Sequence, residues 1–184
     1  MYVDSANQTW MGASELASLP YSHSLEDKWN FDEENGRYKR TNLSRFMKGS
    51  FVNELNRDEG EISFRDAVER AIKGEKFIGI EVAVASNSHR VYGQIDELEI
   101  TPDGIIVKED KEKITVGALH QVRAYALALQ EYVGSNVPIF CSLRDVKTNQ
   151  VCLKERFTDS DKQAAIDAIE AGHSRLRRYL GQDS

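Results

Sequence analysis

The feature that most constrains this chain is a switch of apolar period in its middle. Ile78, Ile80, Val82 and Val84 alternate strictly, and so do Val91, Gly93 and Ile95, with Tyr92, Gln94 and Asp96 on the opposite face. A period of two is the mark of a half-buried strand. Pro102-Asp103-Gly104 is a turn signal, and Ile105 to Lys111 reads as a third strand. Three strands in succession with short turns predict an antiparallel meander. Helical spacing then returns, with Leu119, Val122, Ala126, Leu129 and Val133 on one apolar face and Gly134-Ser135 as the stop. Val137 to Leu143 and Gln150 to Phe157 read as two further strands. A last helix runs from about Asp161 to Leu180, capped by Asp159 or Ser160, with Ile166, Ile169, His173, Leu176 and Leu180 as its stripe.

The stretch before this core reads as helices and loops. Ser14 to Ala17 suits a short helix, Glu26 to Arg40 an irregular segment, and Leu43 to Leu55 a helix by the spacing of its apolar residues. Ser63 is placed to cap another helix with Phe64, Val68, Ala71 and Ile72 as its stripe. No repeat, low-complexity stretch or linker divides the chain. The expectation is one α/β domain over 1–184, with a mixed sheet flanked by helices. Within it, 1–76 is mainly helical, 77–157 holds the sheet with a helix at 117–133, and 159–181 is the C-terminal helix.

Composition matters here for what it excludes. The 184 residues carry 24 Lys+Arg against 30 Asp+Glu, a net charge of -6, which argues at first sight against a nucleic-acid binder. Net charge does not describe a local site, however. No apolar run approaches the ~18 residues of a membrane span. MYVDSANQTWMG shows no secretory signal, so a cytoplasmic protein with no membrane association is expected. Two cysteines, Cys141 and Cys152, are too few for a disulfide scaffold or a four-thiolate cluster.

Several polar residues of the middle section are out of place in a purely structural meander. Glu81 lies on the strand face opposite the four aliphatics, and Asp96 follows Ile95. Glu109 and Lys111 share a face two residues apart, while Asp110 points the other way. Gln121 and Tyr125 share a helix face four apart. Carboxylates from adjacent strands can hold Mg²⁺ or Mn²⁺, which prefer oxygen ligands. The metal lowers the pKa of a bound water and neutralises phosphate charge. A lysine two residues from a ligand carboxylate can orient that water and stabilise the developing charge. This is a set suited to phosphodiester hydrolysis.

Taken in order, Glu81, Gly93-Gln94-Ile95-Asp96, Glu109-Asp110-Lys111 and Gln121 with Tyr125 resemble the PD-(D/E)XK nuclease superfamily, in its RecB-like branch, which includes the CRISPR-associated adaptation nucleases. The resemblance covers roughly Phe77 to Tyr132. It implies a restriction-endonuclease-like core and a metal-dependent deoxyribonuclease. Asp96 and Glu109 would then be metal ligands with the Asp110 backbone carbonyl as a third, Lys111 the catalytic lysine, Glu81 an auxiliary acid, and Gln121 and Tyr125 the pair completing the site. The branch often carries a metal-binding histidine on an N-terminal helix; Gly49-Ser50-Phe51-Val52-Asn53 matches that motif with Asn53 in the histidine's place. Asparagine offers only a carbonyl oxygen, a weak ligand. Many CRISPR-associated members hold an iron–sulfur cluster on four cysteines. This chain has two, so no cluster is expected. The alternative is a nuclease-fold protein that binds DNA or a partner without cleaving. Two basic clusters, Arg37, Lys39, Arg40, Arg45 and Lys48, then Arg175, Arg177 and Arg178, are the expected phosphate contacts, with Trp29 and Tyr38 placed to stack on unpaired bases. The expected partner is DNA, single-stranded or at ends. Recombination, CRISPR and viral replication contexts would each imply different protein partners.

The remaining reactive residues have plainer readings. His173 on an apolar stripe suits a half-buried core position, and His89 and His120 suit the surface. Cys141 suits a buried strand, with Cys152 on the neighbouring strand.

Overall fold

The computed structural model describes residues 2–3, 8–16, 31–32, 37–38, 47–48 and 50–179. In chain order the elements are β1 (Tyr2–Val3), β2 (Thr9–Gly12), α1 (Ala13–Leu16), β3 (Phe31–Asp32), β4 (Arg37–Tyr38), β5 (Met47–Lys48), β6 (Phe51–Asn53), β7 (Glu61–Ile62), α2 (Phe64–Ala71), β8 (Phe77–Ser86), β9 (Val91–Thr101), β10 (Gly104–Lys111), α3 (Val116–Val133), β11 (Ile139–Asp145), β12 (Gln150–Arg156) and α4 (Asp159–Tyr179). A short 3-10 turn, Arg57–Glu59, lies between β6 and β7.

The fold is α/β, with the alternating segments at the centre of a mixed sheet in the order β12-β11-β10-β9-β8-β6-β7. β8, β9 and β10 form the antiparallel meander. β10 and β11 are parallel, with Ile105 opposite Ile139 and Lys111 opposite Asp145. A parallel pair needs a long crossover, and α3 supplies it. β2 also runs parallel to β9, through Met11 and Val91.

α3 is buried on more than the one face the spacing predicts. Ala118, Gln121, Val122 and every residue from Ala124 to Leu129 are buried. Sheet strands pack on one side of it and α1 and α4 on others. Thr115 caps it, accepting from the Ala118 amide at 3.1 Å, and Gly134 ends it. Ser63 caps α2 as expected, accepting from Asp66 N. α4 is capped by Thr158 rather than by Asp159 or Ser160. Its hydroxyl accepts from Asp161 N at 3.2 Å and Asp161 Oδ2 accepts from Thr158 N at 2.9 Å, a reciprocal capping box.

Two expectations for the first 76 residues are corrected. The helix predicted over Leu43 to Leu55 is replaced, where described, by β5 and β6, which pair with Ala83–Val84 and with Phe77–Gly79. The edge of β8 has backbone groups that need partners, and burying Phe51 completely against that edge outweighs the helical spacing. Leu55, the last apolar residue of the predicted stripe, is 89% exposed. Within the segment expected to be irregular, Phe31–Asp32 and Arg37–Tyr38 pair as an antiparallel ribbon. Among the described residues of 1–76 short strands therefore outnumber helices.

The strict alternation read in β8 does not survive intact. Phe77 and Gly79 are buried, Ile80 is 60% exposed, and Val82 and Val84 are buried again. The inward parity changes between Gly79 and Val82; a Cβ built on Gly79 would come within 2.9 Å of Val82 Cγ2. Glu81 sits at the change, with φ +52. β9 changes parity at the same level, from Ile95 to Leu98. The ladder runs Ile80 opposite Glu97 and Val82 opposite Ile95, so the crease falls where Glu81 faces Asp96.

Candidate active site

The crease places polar residues in mid-sheet next to the crossover helix. Asp96 leaves β9 with its Oδ2 accepting from the Asp110 amide at 2.9 Å, and its own amide donates to Glu109 Oε1 at 3.3 Å. Among the described residues no donor reaches Asp96 Oδ1. Glu109, on the inward face of β10 after Ile105 and Val107, is 2% exposed. Its Oε2 meets Lys111 Nζ at 3.0 Å and accepts from Gln121 Nε2 at 3.4 Å. Gln121 Nε2 also donates to Tyr125 Oη at 3.0 Å, one helical turn along α3. The Tyr125 hydroxyl is reached in addition by the Gln94 backbone amide. Gly93 closes the cluster from β9, since a Cβ there would lie 2.6 Å from Tyr125 Cε1. Only glycine lets the ring lie this close to the strand.

The electrostatics follow from this packing. Burial pushes the Glu109 carboxyl up to about 7, Lys111 opposes the shift, and the neighbouring Asp96 adds to it. Burial, with the charge of Glu109 behind it, also holds the Tyr125 phenol well above its ordinary value, so Tyr125 is a hydrogen-bonding group and not a base at neutral pH. Gln121 is buried and its Oε1 has no hydrogen-bond partner among the described residues, which is unusual for a buried carbonyl.

The structure thus brings together Asp96, Glu109, Lys111, Gln121 and Tyr125. Three other predicted site residues stand differently. The Asp110 carboxylate faces away, paired with Arg144 at 2.8 and 2.6 Å, which holds it below its ordinary value; only the Asp110 backbone joins the cluster. Glu81 faces Asp96 across the crease with an exposed side chain, and its carbonyl accepts from Gln94 Nε2 at 3.1 Å. Asn53 is not at the site, and its expected place as a ligand is corrected. It ends β6 opposite Phe77, at the Ile100 level of the sheet, four residues and about 13 Å along the strand from Asp96. Its Oδ1 accepts from the amides of Leu55 and Asn56 at 3.0 and 3.3 Å and its Nδ2 donates to Glu75 at 2.7 Å, so it shapes a turn.

Of the expected phosphate contacts, Arg175, Arg177 and Arg178 are all exposed near the end of α4. In the backbone register Arg37 lies opposite Asp32 in the ribbon and Lys48 opposite Ala83 in the sheet, while Lys39, Arg40 and Arg45 lie outside the described residues. Cys141 is buried and Cys152 exposed, both free; Cys141 stands opposite Glu155, not Cys152. His173 is buried, more completely than the half-buried position expected of it.

Sequence reasoning missed Arg144 and the Gln94 amide. Arg144 meets Asp110 through the parallel β10–β11 register, which no local pattern reveals. The Gln94 contact is carried by backbone and leaves no residue signature.

Among the described residues, no group of three or more His, Cys, Asp or Glu is arranged to hold a metal ion. A pair of carboxylates is nonetheless a common protein contribution to a Mg²⁺ site, where waters and substrate phosphates complete the shell. The donor set fits such an ion: among the described residues Asp96 Oδ1 has no donor and the buried Gln121 Oε1 no partner, and burial disfavours the charge on Glu109 in the absence of a cation. Among the described residues no helix is long and apolar enough to cross a membrane. No known protein-family model matches this chain, and no curated protein matches it.

Proposed function

We propose that this chain is a metal-dependent deoxyribonuclease of the PD-(D/E)XK, RecB-like kind, hydrolysing phosphodiester bonds with Mg²⁺ or Mn²⁺. The observation that carries the reading is Glu109. It is a fully buried carboxylate whose oxygens are met by Lys111, Gln121 and the Asp96 amide, beside the second carboxylate Asp96. A buried acid raised to about 7 is expensive to keep charged. Such a group in a polar cluster is a candidate for function rather than for stability.

In this reading Asp96 and Glu109 hold the cation, with the Asp110 carbonyl and Gln121 Oε1 available to it. When bound, the metal supplies a water of lowered pKa and neutralises charge on the phosphate. Lys111 Nζ, fixed against Glu109 at 3.0 Å, is set to donate to a non-bridging oxygen or to hold the attacking water. Tyr125 keeps its proton and, with the Gln94 amide, fixes the Gln121 amide plane. Gln121 in turn orients Glu109. Glu81, exposed across the crease, is an auxiliary acid at the mouth of the site.

The test is cleavage of linear, circular and single-stranded DNA in Mg²⁺, Mn²⁺ or EDTA. Activity lost in EDTA and in both Asp96→Asn and Lys111→Ala supports the proposal. No cleavage of any substrate in either metal overturns it. One observation favours the second reading, a nuclease-fold protein that binds DNA or a partner without cutting: the residue standing where the branch carries its histidine is engaged in a turn away from the carboxylates. DNA binding without cleavage is its signature.

A further inference from the structure

Away from the carboxylate cluster, the β8–β9 turn and α4 enclose a cleft of about 330 Å³. Its walls carry Ser88, His89 and Arg90 from the turn and Glu170, His173, Ser174 and Arg177 from the helix. A second cleft of about 250 Å³ lies on the other side of the same turn, with Lys162 on its wall. We propose that the first cleft binds a backbone phosphate of a nucleic-acid strand, clamped between Arg90 and Arg177. The identification of the polyanion rests on the nuclease reading; the cleft itself does not.

Three features support a built site. First, the turn is held rigidly. The Ser86 hydroxyl, fully buried, accepts from His89 N at 3.2 Å, and Met11 N donates to Arg90 O at 3.0 Å. Arg90 is one of only three non-glycine described residues at positive φ, at +53. A left-handed arginine persists only where its surroundings hold it, and here they aim it from a half-buried position toward α4. Second, His173 braces the turn. Its Nε2 lies 3.0 Å from His89 O, so the nitrogen donates. Burial, with Arg90 and Arg177 nearby, lowers its pKa. His173 is therefore a neutral strut, and among the described lining residues the cleft carries two guanidiniums and one carboxylate, Glu170. Third, the donors match an oxyanion. Arginines from two elements offer forked N–H groups, and Ser88 adds a hydroxyl. Arg177 Nη2 donates to Ser174 Oγ at 3.2 Å, which fixes one arm of that fork.

Position favours a strand that reaches both places. Arg90 immediately precedes β9, six residues before Asp96. That is about 20 Å along an extended chain, or about six nucleotides at the ~3.4 Å per-strand rise of a duplex. A polynucleotide spans this distance and a mononucleotide does not.

The experiment measures equilibrium binding of a fluorescent 20-nucleotide single strand in EDTA across a salt series, for wild type and Arg90→Ala/Arg177→Ala. Weakening of at least about 10-fold at low salt is expected, with the log–log salt slope reduced by about two. Arg90→Lys/Arg177→Lys should retain most of the affinity. Ser88→Glu, which adds a charge at the exposed turn tip, should reproduce the loss if the double alanine variant folds poorly. Wild-type affinity and slope in folded Arg90→Ala/Arg177→Ala and Ser88→Glu overturn the cleft, whatever the cleavage result. Arginine-dependent binding of inorganic phosphate with arginine-independent binding of the strand overturns nucleic acid as its occupant. Absence of cleavage in every metal, with strand binding still dependent on the arginines, defeats the nuclease reading and leaves the cleft standing.

Discussion

The central meander carries a polar cluster at its crease and another at its end, and they are built on opposite terms. At the Phe77 end, Arg70 is ion-paired to both Glu59 and Glu75 and lies 5.2 Å over the Phe77 ring, while Asn53 ties Glu75 to the amides of its own turn. Each charge there has an opposite partner and both glutamates are held below their ordinary values, Arg70 being the leading cause. At the crease, Lys111 pairs with Glu109 and, among the described residues, no ion pair reaches Asp96; Glu109 is raised to about 7, and a buried amide oxygen has no partner among those residues. The first cluster is complete as it stands. The second leaves polar groups without partners among the described residues, and under the proposed function a cation fills that gap.

The largest expected effect breaks the comparison at the crease. Asp96→Asn or Lys111→Ala should lower the DNA cleavage rate by at least about 100-fold, measured at saturating Mn²⁺. Glu75→Gln in the other cluster should leave cleavage unchanged. Equal losses from both clusters would show that the distinction is wrong.

The next effect is on stability and pH. Glu109 titrates at about 7 in the folded chain against 4.5 when exposed, so the folded state holds the proton more tightly. Its contribution is full below about pH 4.5 and is lost as pH rises through about 7, a change on the order of 3 kcal/mol at ~1.36 kcal/mol per pKa unit. Glu109→Gln should therefore unfold at higher temperature than wild type at pH 8, with the gap narrowing towards pH 5. A gap independent of pH would place the shift elsewhere. Mn²⁺ should raise the wild-type midpoint at pH 8 more than at pH 5.5, and should have no such effect on Asp96→Asn.

Smaller again is Asn53→Ala, which removes one of the partners of Glu75 and the acceptor of two turn amides. It should cost about 1–3 kcal/mol in chemical denaturation without changing the cleavage rate of the folded protein. The smallest effect sharpens the comparison most. Asn53→His restores the residue type of the branch's motif. If Asn53 sits outside the carboxylate cluster, Mn²⁺ affinity by calorimetry should not rise. A rise would bring β6 back to the site.

How much of this was readable in the sequence depends on whether the signal was local. Glu109 and Lys111 on one face of a strand, and Gln121 with Tyr125 on one face of a helix, follow from periods of 2 and 3.6, and those four residues meet. Ser63 before an apolar stripe announced its cap just as plainly. The failures have a different origin. Over 43–55 the apolar spacing fits a helix, yet a strand edge 24 to 28 residues downstream in the chain claims Phe51–Asn53. In β8 the alternation of Ile78, Ile80, Val82 and Val84 hides a reversal at Glu81, because a positive φ leaves no residue-type signature unless glycine is present. Arg90 shares that blindness, and the cleft it lines depends on α4 returning to a turn 84 residues earlier in the chain. Arg144 needed the parallel register.

The contact between Gly93 and Tyr125 has a mechanical consequence. From the Tyr125 ring, hydrogen bonds run in series through its hydroxyl to Gln121 and from Gln121 to Glu109. A single added methyl at position 93 would press on the ring, and the displacement has a direct route along that series to the Glu109 carboxylate. Volume on one strand is thereby linked to the placement of a carboxylate on the next, two hydrogen bonds beyond the ring that the missing side chain leaves room for.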